Sequence, residues 1–440
     1  MGEYSEQTLH NISELNFDAI PNYLMYQYCP TLGSLFKKKT MPVVQIKEKI
    51  SQDNTKQIEF NLLTLLHENI SKRTKHRATI GVFLSGGLDS SLIAALCSQH
   101  TKLHAFTAVF RTHTEISEAT AVSRHLGMIP HHIEEILPEK IANDIFAITK
   151  AYGEPLGDAA LINNYYLTKA ASKFTDTIFT GDGGDEVFGG YPWHHFEKYI
   201  SIANKVPVPI REIGQKLFNN GDLTGKLNRV NRIALFPLQT SLDKMIMYPT
   251  TCMSHQNLRW LLKENNYKHL VSVPGKYNSL YNTLLAFDCA NLLKGKFGLE
   301  SSRFEKALGV KRYSPLSEDN TIDFAFTIPT YLKRDKKILK GIAKNLLPDS
   351  TLKRKKQGFG TPISDWFNND IFRQLVLDRL ENGELLKKIC KEESLVKLIG
   401  YFKKNARSMA SGMTAISTDT VIWNLFALQI WYDVFFGEVK

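Results

Sequence analysis

The stretch Ser85-Gly86-Gly87-Leu88-Asp89-Ser90-Ser91 decides how this chain is read. It follows a short apolar run, Ile80-Gly81-Val82-Phe83-Leu84, and precedes Leu92-Ile93-Ala94-Ala95-Leu96, which is rich in helix formers. That order predicts a buried strand, a tight turn and a helix start. Two adjacent glycines let the backbone approach a ligand closely, and Ser85, Ser90 and Ser91 add hydroxyls beside the free N–H groups of the first helical turn. These are the parts of an anion cradle. Asp89 sets a carboxylate among donors that otherwise favour phosphate, which makes sense when Mg²⁺ lies between the carboxylate and phosphate oxygens. The plainer alternative is a turn whose serines only cap the helix.

No lysine follows the glycines, so this is not the P-loop pattern. Outward from the loop, strand and helix alternate. Leu103 to Phe110 reads as a strand, Glu115 to Leu126 as a helix, and His131 to Glu134 as a strand. Ile141 to Tyr152 and Leu161 to Phe174 read as helices, and Thr177 to Thr180 as a strand. The spacing of apolar residues from Ile46 to Ser71 predicts an amphipathic helix ahead of the first strand. Such a pattern implies an α/β fold with a parallel sheet whose ligands bind at the carboxyl ends of the strands.

A second turn, Gly181-Asp182-Gly183-Gly184-Asp185-Glu186-Val187-Phe188-Gly189-Gly190-Tyr191, opens at that same edge. Close carboxylates repel unless a metal or a cationic substrate balances them. Beside an anion loop, Asp182, Asp185 and Glu186 suit metal binding and proton transfer better than a structural turn. Beyond Pro192 the pattern is largely helical with few strand signals. Val421 to Phe436 is too short to span a bilayer and carries Asn424, Gln429 and Asp433, so it reads as a buried helix. Ile20 to Val44 is aromatic and broken by prolines, and reads as an irregular packed segment.

The chain has 440 residues, a formal charge of +11 and five scattered cysteines with no C-x-x-C pair. Neither a disulfide framework nor a zinc site is suggested, and a reducing cytoplasm fits. The N-terminus lacks the basic start and apolar core of a secretory signal, and Glu6 spoils a myristoylation match. The dense basic run from Leu332 to Lys356 raises nucleic acid as a partner. Its apolar residues recur at helical spacing, however, which favours a solvated helix face with one or two cations kept for phosphates.

Together these residues resemble the synthetase domain of the asparagine synthetase family, a group that includes β-lactam synthetase and the lasso-peptide cyclases. The resemblance rests on Ser85 to Ser91 and Gly181 to Tyr191. Glu154-Pro155 with Asp158, Lys353-Arg354-Lys355-Lys356-Gln357-Gly358-Phe359-Gly360-Thr361-Pro362 and Trp423 to Tyr432 support it. It implies a parallel sheet of the adenine-nucleotide α-hydrolase type flanked by helices, with a largely helical C-terminal region. It also implies ATP with its adenine near Leu84, Ala108, Thr180 and Gly181, and its phosphates in the loop of Ser85, Gly86, Gly87, Asp89 and Ser90. Asp89 and Asp185 match the family's Mg²⁺ carboxylates. A substrate carboxylate would attack the α-phosphorus, releasing pyrophosphate and leaving an acyl-adenylate. Lys356 matches the lysine that stabilises charge on the reacting phosphate and acyl group. Asp182 stands where a base could take the proton of an attacking amine.

Two departures bear on function. Met1-Gly2 is not the catalytic cysteine of a glutaminase, and the likeness begins in residues 1–45, which resemble the junction after such a domain; 46–440 is the synthetase domain. Nitrogen is therefore expected as free ammonia, from a separate subunit, or as an amine of the substrate. Where asparagine synthetases carry E-x-R-x-P-F-L-D, this chain reads Gly309-Val310-Lys311-Arg312-Tyr313-Ser314-Pro315-Leu316-Ser317-Glu318, so Lys311 replaces the glutamate and Tyr313 the arginine. Upstream, Arg303 is kept and Glu305 replaces a serine. A charge reversal at the acceptor pocket argues for a carboxylate substrate, small molecule or peptide, other than aspartate. The alternatives are an ammonia-using asparagine synthetase acting on aspartate, a non-catalytic ATP-binding regulatory relative, and a tRNA-modifying enzyme, which the lack of an RNA-binding module disfavours.

Overall fold

Ile80, Val82, Phe83 and Leu84 are all buried, so the run ahead of the Ser85 turn is a strand covered on both faces. The computed structural model describes residues 12–29, 35, 46, 48–110, 116–127, 131–203, 205–218, 245–246, 251–253, 255–264, 275, 277–354, 361–405 and 418–437. Within them, β1 (Thr79–Phe83), β2 (Lys102–Val109), β3 (His131–Glu135), β4 (Thr177–Phe179) and β5 (Lys311–Tyr313) form one parallel sheet in the order β3-β2-β1-β4-β5. Parallel neighbours need crossovers, and helices supply them. These are α3 (Leu88–Ser98) and α4 (Ile116–His125), then α5 (Pro138–Tyr152) and α6 (Ala160–Ala171). The strand order reverses between β1 and β4, and both glycine-rich turns leave the sheet there. This is the crevice where open α/β sheets bind their ligands.

The helix ahead of β1 is α2 (Thr55–Thr74), later than the apolar spacing predicts. Asn54 sets its start, because its side chain accepts the Gln57 N–H at 3.0 Å. Part of the Ile20 to Val44 segment is helical rather than irregular: α1 (Ile20–Tyr26) has Pro21 in its first turn and every residue buried. Pro21 is tolerated there because its missing N–H would be unpaired anyway. Most of the rest of that segment lies outside the described residues.

The apolar C-terminal run is a buried helix, Thr418–Phe435, as its composition predicts. Hydrogen bonds tie it and α1 to the rest of the protein. The Trp423 indole N–H donates to the Leu156 carbonyl at 2.8 Å, the Tyr23 hydroxyl to the Asn424 carbonyl at 3.2 Å, and Gln27 Nε2 to the Gly157 carbonyl at 2.9 Å. Both ends of the described chain thus close on the Glu154–Asp158 loop. No helix among the described residues is long and apolar enough to cross a membrane.

The region after Pro192 contains a strand the sequence reading did not expect, the three-residue β5, which exists through its pairing with β4. A long helical stretch leads to it: Leu280–Asp288, a π-helical segment Cys289–Phe297, and Gly298–Leu308. The wider turn of the π segment shifts the angular register of the residues after it. Lys296 meets Asp158 at 2.5 Å, and Glu300 meets the sheet at β5.

The basic run divides. Lys337, Lys340 and Lys344 are exposed, whereas Lys333 and Lys336 are buried. Lys333 Nζ lies 4.6 Å from the centre of the Phe326 ring and has no hydrogen-bond partner among the described residues. Burial pushes its pKa down to about 7. An unfolded lysine titrates near 10.4. Between pH 7 and 10 the unfolded state therefore holds more protons, and stability rises with pH across that window. Lys333→Met is expected to raise the Tm at pH 7 by roughly 2 °C or more and to flatten the rise between pH 7 and 9.5, as read by thermal denaturation at both pH values.

Candidate active site

The first turn forms as its residues predict. Gly86 has φ 72, and a Cβ there would meet the Glu118 backbone at 2.6 Å. Ser85 and Ser90 hydroxyls stand 3.0 Å apart, and the Gly87 N–H donates to Ser85 Oγ at 3.3 Å. Gly87 is the N-cap of α3 and has no side chain to bond the first-turn N–H groups. Arg354 Nη1 donates to the Ser85 carbonyl at 3.2 Å, which brings one cation of the basic run to the loop.

The second turn touches the first. A Cβ on Gly181 would lie 2.6 Å from the Ser90 nitrogen, and one on Gly184 would collide with the Asp89 carboxylate. Only glycine permits this approach, and it brings Asp89 beside Asp185, the second residue of the short helix α7 (Gly184–Phe188). Both carboxylates converge on Lys336 Nζ, which donates to Asp89 and lies 2.6 Å from Asp185. Burial works against the charge on Lys336, but Asp89 first and Asp185 next outweigh it and raise its pKa above the ordinary lysine value. Asp335 (φ 54) and Lys336 (φ 57) are consecutive non-glycine residues in the left-handed region, a strained arrangement of the kind that gathers at functional sites.

The donors suit the implied metal. Two carboxylates on neighbouring loops already share one cation, and Mg²⁺ is commonly held by one or two carboxylates with substrate phosphates completing its shell. Asp89 and Asp185 would hold it.

Leu84, Ala108 and Thr180 lie at the carboxyl ends of β1, β2 and β4, three adjacent strands. The Leu84 N–H donates to the Phe106 carbonyl at 2.9 Å, the Thr107 hydroxyl to the Leu84 carbonyl at 2.6 Å, and the Thr180 N–H to the Tyr313 carbonyl at 2.9 Å. Ala108 is buried. Asp182 Oδ2 accepts the Thr180 hydroxyl at 2.7 Å and Arg312 Nη2 at 3.3 Å.

Glu186 turns away from this convergence into the interior. Its carboxyl accepts the Tyr191 hydroxyl, and Tyr191 stacks on Trp193 with ring centres 4.0 Å apart. Trp193 and buried His194 both meet Asp288 Oδ2 at 2.8 Å. Burial, and then the charge of Asp185, raise the Glu186 pKa to about 8. Lys356 lies outside the described residues.

Lys336 and Arg312 are site residues that sequence reasoning did not single out. Lys336 was hidden in a run of like residues, and the left-handed backbone at Asp335 and Lys336 that breaks this run has no mark in the sequence. Lys311, expected to reverse the pocket's charge, is exposed, and Tyr313 lies under Arg73 at 4.7 Å. Register decides this: in a strand, alternate side chains face opposite ways, and Arg312 is the residue that points to Asp182.

The asparagine synthase family model matches residues 61–433, which covers both turns, all five strands and most of the terminal helix. The chain belongs to the asparagine synthase family. This family makes amides by ATP-dependent adenylation, uses ATP typically with Mg²⁺, and takes a carboxylate with ammonia or glutamine. The chain is 23% identical over 462 residues to asparagine synthetase [glutamine-hydrolyzing] 1 of Bacillus subtilis, covering 96% of this chain and 70% of that protein. It is 32% identical over 167 residues to putative asparagine synthetase [glutamine-hydrolyzing] 2 of Methanocaldococcus jannaschii, 37% of this chain and 32% of the other. It is 29% identical over 139 residues to asparagine synthetase [glutamine-hydrolyzing] of Asparagus officinalis, 29% of this chain and 24% of that one.

Lys336→Met is expected to destabilise the nucleotide-free protein, because stripping one member from a buried ion cluster costs about 3–5 kcal/mol. Mg²⁺ is expected to recover more of the Tm in the variant than in the wild type, and thermal scans with and without the ion read the difference. For Glu186 the sign is opposite to Lys333. Unfolded glutamate ionises near 4.3 while the folded carboxyl keeps its proton to about 8, so its contribution to stability falls as pH rises through that window. Glu186→Gln, which keeps the neutral hydrogen-bonding form, is expected to lessen the fall in Tm between pH 5 and 8.5.

Proposed function

We propose that this chain is an AMP-forming carbon–nitrogen ligase that activates a substrate carboxylate as an acyl-adenylate and passes the acyl group to ammonia or an amine. The convergence of Asp89 and Asp185 on one cation, beside the Ser85–Ser91 cradle and at the reversal of strand order, carries this reading. Leu84, Ala108, Thr180 and Gly181 take the adenine, and Ser85, Gly86, Gly87 and Ser90 take the phosphates. Mg²⁺, when bound, neutralises phosphate charge and makes pyrophosphate a better leaving group. Lys336 then turns from the carboxylates to the phosphate oxygens. Lys356 steadies charge on the α-phosphate and acyl oxygens. Asp182 accepts the proton of the attacking nitrogen, and Glu186 supports the turn from beneath through Tyr191.

The synthetase unit is assigned to 46–440, with 1–45 as the segment before it. Nitrogen comes as ammonia, as an amine on the substrate, or from a separate subunit. None of the five cysteines is joined in a disulfide among the described residues, which suits a reducing compartment such as the cytoplasm. A carboxylate other than aspartate is the first reading, because the glutamate and arginine of E-x-R-x-P-F-L-D are replaced by Lys311 and Tyr313, and aspartate with ammonia is the second.

Pyrophosphate release from MgATP, scanned over small and peptide carboxylates with and without ammonium, tests the proposal. One carboxylate is expected to drive release, and Asp89→Ala and Lys356→Ala to cut it by about 100-fold or more. Activity with aspartate alone would select the second reading. Silence over the whole panel would overturn the ligase and leave a nucleotide-binding protein without turnover.

A further inference from the structure

Arg312 is a buried cation beside the second turn. Its side chain is 3% exposed, and each terminal nitrogen has a carboxylate: Nη1 meets Glu300 Oε1 at 3.0 Å and Nη2 meets Asp182 Oδ2 at 3.3 Å. Its backbone N–H donates to Glu305 Oε1 at 2.8 Å, and its guanidinium lies 5.4 Å from the centre of the Phe83 ring. Glu300 is equally enclosed and also accepts Asn164 Nδ2. Asp182 differs from these partners in being 37% exposed, so it alone of the three can meet a molecule in the cleft. Among the described residues, both of its side-chain contacts, from Thr180 and Arg312, go to Oδ2. This leaves Oδ1 as the oxygen able to face a nucleophile.

We infer that Arg312 is a positioning residue for the nitrogen-transfer step, fixing the Asp182 carboxylate by one oxygen so that the other presents to the incoming amine. The inference rests on the reading of Asp182 as the base for that amine. Arg312 cannot shed its proton, and turning away would leave Glu300 a buried charge without its partner. Its position is thereby set by Glu300 and Asn164 from behind, and it passes that position to Asp182. Arg312, Glu300 and Glu305 are the charged groups gathered on this side of Asp182. Adenylation needs none of them, because the phosphates and Mg²⁺ belong to Asp89, Asp185, Lys336 and the serine loop. The arginine should therefore matter to the second half-reaction and not to the first.

Two half-reactions measured separately test this. The first is carboxylate-dependent exchange of labelled pyrophosphate into ATP without ammonium. The second is amide formation with ammonium. Both use the carboxylate that drives pyrophosphate release in the wild type, with aspartate tried first. Arg312→Met/Glu300→Gln removes the buried pair together, so that no lone charge threatens the fold, and a thermal melt checks that it is folded. Exchange is expected to stay within about threefold while kcat for amide formation falls by about 30-fold or more with the carboxylate KM unchanged, the scale of loss from a displaced catalytic group. Arg312→Lys, able to keep one of the two carboxylate contacts, is expected to recover part of that loss. Equal losses in both half-reactions, or no loss in either, would overturn the inference. No exchange by the wild type on any carboxylate would instead overturn the ligase reading on which it rests.

Discussion

The ammonium of Lys336 between Asp89 and Asp185 is the constraint on which the rest of the site depends. Two carboxylates from separate loops cannot approach each other in a buried place without a positive charge between them. The two turns must therefore leave adjacent strands at the point where strand order reverses, and their backbones must nearly touch. Gly181 and Gly184 allow that contact, and the left-handed backbone at Asp335 and Lys336 delivers the cation from a third segment. A lysine is well suited to the place because it can leave. Its flexible stem lets a point charge move from carboxylates to phosphates as a divalent ion enters.

Around this centre the protein separates two kinds of acid. Glu186, Tyr191, Trp193, His194 and Asp288 form a buried, hydrogen-bonded group under the second turn, in which the Glu186 carboxyl is neutral at ordinary pH. Such a group holds the turn without adding negative charge next to the phosphates. Asp182, by contrast, faces the cleft and has a permanent cation, Arg312, behind it. Three acids within five residues thus do three different things, and burial and partners decide which.

The Glu154–Asp158 loop is a second place where distant segments meet. Arg303 joins Glu154 at 3.1 Å and the Tyr152 carbonyl at 2.8 Å, Lys296 joins Asp158, and α1 and the terminal helix close over the backbone of Leu156 and Gly157. Residues more than two hundred positions apart thereby fix this loop. This explains why the family match runs nearly the whole length of the chain rather than ending with the sheet.

The sequence by itself determined the parallel α/β pattern and the two glycine-rich turns with their acids, while the pairing of Asp89 with Asp185 came from the family resemblance. The pattern and the turns are local matters: alternation of apolar runs, glycines where backbone must approach, and acids that demand a cation. It also determined the buried C-terminal helix, whose length and polar residues exclude a membrane span. Only the tertiary structure decided the start of α2, the helix at Ile20–Tyr26, the strand Lys311–Tyr313 and the identity of the inward-facing cations. Each of these depends on a partner distant in the chain. A three-residue strand has no periodicity of its own, and one step of register exchanges Lys311 for Arg312 at the cleft. In a run of lysines every residue is chemically alike, so which one meets two carboxylates is settled by packing alone.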